Sequence, residues 1–174
     1  MTTRMPNHAA TLSASAMPSP PANAPHVRSA APADLPAVER LLTDSGLPLD
    51  GVPEALGTFV VAEAGSDLVG VAGLEICCND ALLRSVAVRP EWRSHGVGRA
   101  LVTRAIADAE ARGLRALYLL TTTAERYFPS FGFRTIARDE VPAEIRETAE
   151  FREACPASAT VMCRDCAAPP APPT

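Results

Sequence analysis

The stretch Leu82-Leu83-Arg84-Ser85-Val86-Ala87-Val88-Arg89-Pro90-Glu91-Trp92-Arg93-Ser94-His95-Gly96-Val97-Gly98 constrains this chain more than any other. Val86 and Val88 among apolar neighbours read as a β-strand. Pro90 cannot continue a ladder and ends it. Gly96 and Gly98 allow backbone angles and close approaches that other residues resist. A helix starting there turns its first free N–H groups back onto the turn. With the helix dipole and Arg93 they form an anion site suited to phosphates. The bland alternative is that the glycines merely permit tight packing.

The remaining pattern places this unit in a mixed α/β domain with no repeats. Val27 to Ala30 is a short strand, and Pro32-Ala33-Asp34-Leu35 starts a helix with Val38, Leu41 and Leu42 at helical spacing, stopped by Gly46. Leu47 to Gly57, with Pro48 and Pro53, is an irregular loop or broken helix. Phe59 to Glu63 and Leu68 to Cys77 form a hairpin around Gly65-Ser66-Asp67, and Asn79-Asp80 leads into the Leu82 strand. After Gly98 a helix runs to about Arg112, with Leu101, Val102, Ala105, Ile106 and Ala109 on one stripe. Ala116 to Leu120 is a buried strand, parallel to the Leu82 strand because a helix crosses between them. Thr122-x-x-Glu125 reads as a capping box for a short helix that Pro129 truncates or kinks. Arg134-Thr135-Ile136 is a strand, Pro142 to about Ala154 a helix, and Ala159 to Cys163 a last strand.

The 174 residues suffice for one domain with a proper core. We expect that domain at residues 26–166, between disordered tails at 1–25 and 167–174, because both ends are rich in proline. No uninterrupted apolar segment marks a signal peptide and no run approaches a membrane span. The expectation is a soluble, cytoplasmic protein with no membrane partner. The net charge of −4 gives no electrostatic footprint for nucleic acid. All 16 basic residues are arginine, for which codon bias is the bland reading. The five cysteines, Cys77, Cys78, Cys155, Cys163 and Cys166, are expected to be reduced and structural. Cys163-x-x-Cys166 is half a zinc site without a second ligand pair, so no metal is expected. Cys77 and Cys78 would point to opposite faces of a strand.

A dinucleotide fingerprint would need a third glycine at Leu101, and no Gly-Lys-Ser/Thr exists for a P-loop. The segment Val86-Ala87-Val88-Arg89-Pro90-Glu91-Trp92-Arg93-Ser94-His95-Gly96-Val97-Gly98-Arg99-Ala100-Leu101 resembles the acetyl-CoA signature of the GNAT N-acetyltransferases. Ala124-x-x-Tyr127-Phe128-x-x-Phe131-Gly132-Phe133 resembles the same superfamily's second landmark. Leu83 to Val88, Leu119 to Ala124, Val141-Pro142-x-x-Ile145-Arg146 and Cys155 to Ala159 are similar to the small acetyltransferases of bacterial arsenic-resistance operons. Those are in turn similar to the acetyltransferase domain of N-acetylglutamate synthases. The resemblance spans about residues 27 to 166. It implies a mostly antiparallel sheet with one parallel, splayed strand pair, flanked by helices.

The resemblance also implies acetyl-CoA as co-substrate, with its diphosphate on the N–H groups of Ser94, His95, Gly96, Val97, Gly98 and Arg99 beside Arg93. The pantetheine arm would run along Val86, Ala87 and Val88, with a backbone N–H near Val88 as oxyanion donor. The acetyl group would pass directly to the amine of a small, amino-acid-like acceptor in a ternary complex, in a monomer or homodimer. Three residues carry open alternatives. Tyr127 is the acid for the departing thiolate or a packing residue; many relatives place that tyrosine where this chain has Phe128. Glu75 stands in for the base that relatives carry near Leu82 and Leu83, or is a solvated strand-end charge. Arg84 shares a face with Leu82, Val86 and Val88 by period two, and binds either a substrate carboxylate or an internal Glu or Asp. A non-catalytic CoA-binding module and a protein or drug N-acetyltransferase are the alternatives to a small-amine enzyme.

Overall fold

The computed structural model describes residues 24–154 and 156–166. The expectations for the tails before residue 24 and after residue 166, and for Cys155, fall outside the described residues. Among the described residues, seven strands form one sheet in the order β1-β2-β3-β4-β5-β7-β6. They are β1 (His26–Ser29), β2 (Phe59–Ala64), β3 (Asp67–Cys77), β4 (Asp80–Val88), β5 (Ala116–Thr121), β6 (Arg134–Thr135) and β7 (Thr160–Asp165). All neighbours are antiparallel except β4 and β5, whose crossover is the helix α3 (Val97–Ala111). The mixed α/β architecture is the expected one.

Burial on the two sheet faces follows the period-two pattern. On one face α3 lays Leu101, Val102, Ala105 and Ala109 against Val60, Ala72, Leu74, Leu83 and Leu117. On the other, α1 (Leu35–Asp44) and α2 (Val52–Ala55) cover Phe59, Val61, Val71 and Ala87. Beyond them α4 (Ala143–Arg146) and a turn of π-helix, Glu150–Ala154, cover Leu82, Tyr118 and Val161. Gly73 has no room for a side chain, since a Cβ there would lie 2.3 Å from the Phe59 ring.

Three local expectations are corrected. The Thr122-x-x-Glu125 helix does not form: Thr121 Oγ1 accepts from the N–H groups of Thr123 and Ala124, and Glu125 accepts from the Thr160 hydroxyl. With Thr121 rather than Thr122 accepting these N–H groups and Glu125 engaged by Thr160, the chain makes only a 3-10 turn at Phe128–Phe131. The helix expected from Pro142 to Ala154 breaks at Thr148. Its hydroxyl donates to the Ile145 carbonyl and accepts from the Phe151 N–H, ending one turn and starting the next. Cys78 does not continue β3 but turns the hairpin at φ 58°, leaving Cys77 as the last strand residue.

A fourth correction concerns β4. Gly73 pairs with Arg84 and Val71 with Ala87, so Ala72 alone faces both Ser85 and Val86. This is a β-bulge, and Ser85 takes it up at φ 56°. The extra residue reverses the alternation. Leu82 and Arg84 lie on the α1 and α4 side, while Val86 and Val88 pack on the α3 side with Leu83. Arg84 therefore does not share a face with Val86 and Val88.

Candidate active site

The parallel pairing of β4 with β5 extends only from Asp80 to Leu82, against Ala116 to Tyr118. Past Leu82 the two strands part, and the bulge at Ser85 follows three residues on. The opening holds a cavity of about 420 Å³ between Leu83, Arg84, Ser85 and Val86 on one wall and Leu119 to Ala124 on the other. Gly46, Leu47 and Pro48 close it from the α1 side, and Tyr127, Phe128, Glu150 and Pro156 from the far end.

The glycine turn lies at the end of the same strand. Ser94 and Gly96 are left-handed, at φ 63° and 80°, and Gly96 is the N-cap of α3. Left-handed residues spaced this way turn consecutive N–H groups to the concave side of a loop. The Ala100 N–H is bonded back to the Gly96 carbonyl, whereas the preceding first-turn donors of α3 have no intrahelical acceptor. Arg93 is exposed and ties the turn to the strand through Nε, 3.1 Å from the Val88 carbonyl. His95 Nδ1 sits 2.7 Å from the Arg93 carbonyl, and Val97 is buried. Arg99 lies over the Phe131 ring and reaches Ser130 Oγ at 3.3 Å. A turn rich in free N–H groups with two exposed guanidinium groups can hold an extended anion.

Tyr127 bridges turn and cavity. It precedes the 3-10 turn, and its ring meets Phe128 and Phe131 edge-on at 5.4 and 5.1 Å. Its hydroxyl lies over Gly98, where an added Cβ would be 3.2 Å away. Gly98 thus leaves room for that hydroxyl. Phe128 is buried against the α3 face and Tyr127 is 37% exposed, so the aromatic carrying a hydroxyl is the one directed outward. Burial raises its pKa above the usual phenol value, partly offset by Arg99.

Arg84 has a fully buried side chain and a carboxylate at two of its corners. Nη1 donates to Glu75 Oε2 at 2.7 Å, and Nε is 2.9 Å from Glu150 Oε2 and 3.4 Å from Ser85 Oγ. Nη2 is buried with no acceptor among the described residues. Gly51, at φ 73°, comes so close that a Cβ would be 3.3 Å from Nη1. Glu75 joins this group from β3 but is not on the cavity wall; Arg84 and Glu150 are. Glu150 is the site residue that the sequence reading missed. Burial pushes its carboxyl up to about 7, with Arg84 pulling down and Glu75 pushing up. The available signal was Thr148, a hydroxyl able to split a helix just before it.

Cys163 and Cys166 do not converge. They pack in different clusters, Cys163 on β7 with Tyr118 and Cys166, just past the end of β7, with the α3 core.

A sheet of this order, opened between β4 and β5 above a glycine turn, is the architecture of a GNAT-type acyltransferase. The chain belongs to the GNAT acetyltransferases. Residues 55–135 match the acetyltransferase (GNAT) domain. An amino-acid acetyltransferase of Mycobacterium tuberculosis is 33% identical over 141 residues, covering 75% of this chain and 78% of that one. Rv2747 of the same organism, crystallised in complex with CoA, superposes with a TM-score of 0.69 at 27% identity over 80% of this chain and 98% of its own. The N-acetylglutamate synthase of Neisseria gonorrhoeae, complexed with coenzyme A and N-acetyl-glutamate, gives a TM-score of 0.71 at 23% identity over 82% of this chain. This chain spans 35% of that synthase, and 18% of the Thermobifida fusca mycothiol acetyltransferase that it matches at 46% identity over 57 residues. Among the described residues no helix is long and apolar enough to cross a membrane.

Proposed function

We propose that the protein transfers an acetyl group from acetyl-CoA to the amine of a small, amino-acid-like acceptor, directly and without an acyl-enzyme. The observation that carries this reading is that the anion turn at Arg93 to Arg99 follows the strand whose Leu83 to Val86 line the cavity, with Tyr127 on the cavity wall and its hydroxyl over Gly98. A diphosphate on the turn would lead a pantetheine arm along Val86, Ala87 and Val88 and deliver the thioester to the cavity. The crystal structure of Rv2747 with CoA supports the co-substrate, and the amino-acid acetyltransferase relative supports the acceptor class.

Within the cavity the residues divide the work by charge. Among the described residues on its wall, Arg84 is the only cation and Glu150 the only anion. An α-amino acid carries both complementary charges. Its carboxylate would accept from Arg84 Nη2, the corner of the fork that Glu75 and Glu150 leave unused. The Tyr127 hydroxyl would give its proton to the departing CoA thiolate. Glu75 acts through Arg84, holding the guanidinium toward the cavity. Thiol release from acetyl-CoA tests the reading, with a panel of amino acids including glutamate, aspartate and phosphinate- and arsinate-bearing analogues. Turnover on one or more supports it. Acetyl-CoA binding without turnover on any amine would make the chain a CoA-binding module.

A further inference from the structure

Direct transfer needs a group to take the ammonium proton of the acceptor, since only the neutral amine attacks. Leu82 and Leu83 cannot serve, and Glu75 is engaged by Arg84 Nη1 away from the cavity wall. Glu150 comes from a segment far along the chain. The helix break at Thr148 restarts the backbone as a π-turn, and that turn brings Glu150 to the wall with the residue 7% exposed. Irregular turns of this kind commonly serve to aim a functional side chain.

We propose that Glu150 is the general base of the transfer and that Arg84, backed by Glu75, positions its carboxylate. This rests on the acetyl-transfer reading above. The geometry supports it in three ways. The Glu150 carboxylate is held by a rigid partner, since Arg84 Nε is 2.9 Å away and the same guanidinium is fixed by Glu75 at 2.7 Å and Ser85 at 3.4 Å. The wall offers no second carboxylate among the described residues. With both acids ionised, the Glu75–Arg84–Glu150 group is net negative, so it attracts an ammonium group to the point where the proton must leave.

Proton affinity agrees with position. Among the described residues, Arg84 and Glu75 are charged groups that act on Glu150, and Ile145 and Phe151 in this part of the core are apolar. Burial raises its carboxyl from 4.5 to about 7. The α-ammonium group of a free amino acid titrates above the value of about 8 of a peptide N-terminus, so a carboxyl raised toward it makes the transfer less uphill than an ordinary carboxylate does. In the step itself, one N–H electron pair becomes the nitrogen lone pair as Glu150 takes the proton. The lone pair forms the C–N bond at the thioester carbonyl. The C–S bond then breaks with its electrons on sulfur, and the thiolate takes the Tyr127 proton. The second ammonium proton returns to Tyr127, and Glu150 releases its proton to solvent. The products are the N-acetyl compound, CoA thiol and one proton.

The test is the pH profile of kcat/KM for wild type and Glu150→Gln, using an amino acid that the thiol-release screen finds to be turned over. Wild type should rise with pH and level above about 7. The Gln variant should lose roughly 10²-fold in kcat, and its ascending limb should move to the ammonium pKa of the acceptor, with acetyl-CoA affinity by calorimetry within twofold of wild type. A Gln variant with the wild-type profile overturns the assignment. If the Gln variant fails to fold, Glu150→Asp decides: a reduced rate that keeps the ascending limb supports the base, and a profile without it overturns it. Wild-type turnover that survives in Glu150→Gln sinks Glu150 alone. A wild type that binds acetyl-CoA and acetylates no amine sinks the acetyltransferase reading and the base with it.

Discussion

Replacing Glu150 by glutamine should make the protein more stable in mild alkali while leaving it unchanged in mild acid. The Glu150 carboxyl titrates near 4.5 when unfolded and about 7 when folded, with burial as the main cause. Its folded-state value is raised, so the folded protein binds the proton more tightly than the unfolded chain between those pH values. Stability therefore falls as pH rises from about 4.5 to 7 and stays lower above that. The difference corresponds to on the order of 3 kcal/mol. Glutamine has nearly the shape of the protonated acid and does not titrate. At pH 5 the two proteins should differ by less than about 1 kcal/mol; at pH 8 Glu150→Gln should be more stable by on the order of 3 kcal/mol, or roughly 10 °C in Tm for a domain of this size. Urea titrations at pH 5, 6.5 and 8 measure this directly. Parallel curves for the two proteins across that range would refute the reasoning, because the attraction of Arg84 would then offset the whole desolvation of Glu150.

Arg84→Met should destabilise the fold by about 3–5 kcal/mol, because it leaves Glu75 and Glu150 facing each other without the cation between them; a loss under about 1 kcal/mol in urea denaturation would contradict the buried trio. Tyr127→Phe should keep acetyl-CoA affinity, measured by calorimetry, and lower kcat by roughly 10²-fold, and an unchanged kcat would leave Tyr127 as a partner of Phe128 and Phe131 only. Gly96→Val places a branched side chain at φ 80° and should cost about 1–2 kcal/mol. Combined with Arg93→Glu, it should weaken acetyl-CoA at least about tenfold, and an unaltered Kd would remove the anion from that turn.

The features legible in the sequence are those that depend on neighbours along the chain. The strand and the Pro90 stop follow from local backbone preferences and lie where expected, and the glycine turn does open a helix, which starts at Val97 rather than after Gly98. Ser85 was not legible. A serine at φ 56° has no compositional mark, and the bulge exists only because Ala72 on the neighbouring strand spans two residues of β4. Glu150 was hidden for a related reason. In a continuous helix from Pro142 to Ala154 it is one solvent-facing charge among several. It becomes a buried carboxylate only after Thr148 breaks that helix and Arg84 is presented from the sheet. Arg84 itself was recognisable as an arginine in need of a partner, but its partners come from β3 and from the π-turn 66 residues later.

The bulge connects these facts. One extra residue at Ser85 lets β4 diverge from β5 after Leu82 and so opens the cavity. The same residue rotates the strand by one face, which moves Val86 and Val88 to the α3 side, next to the glycine turn, and leaves Arg84 on the opposite side. An arginine buried there is costly unless carboxylates surround it. Glu75 and Glu150 meet that requirement, but two acids against one cation leave the group with surplus negative charge, and burial shifts that surplus onto a proton at Glu150. The device that makes room for an extended ligand therefore also places, in the same cleft, a carboxylate able to exchange a proton near neutral pH.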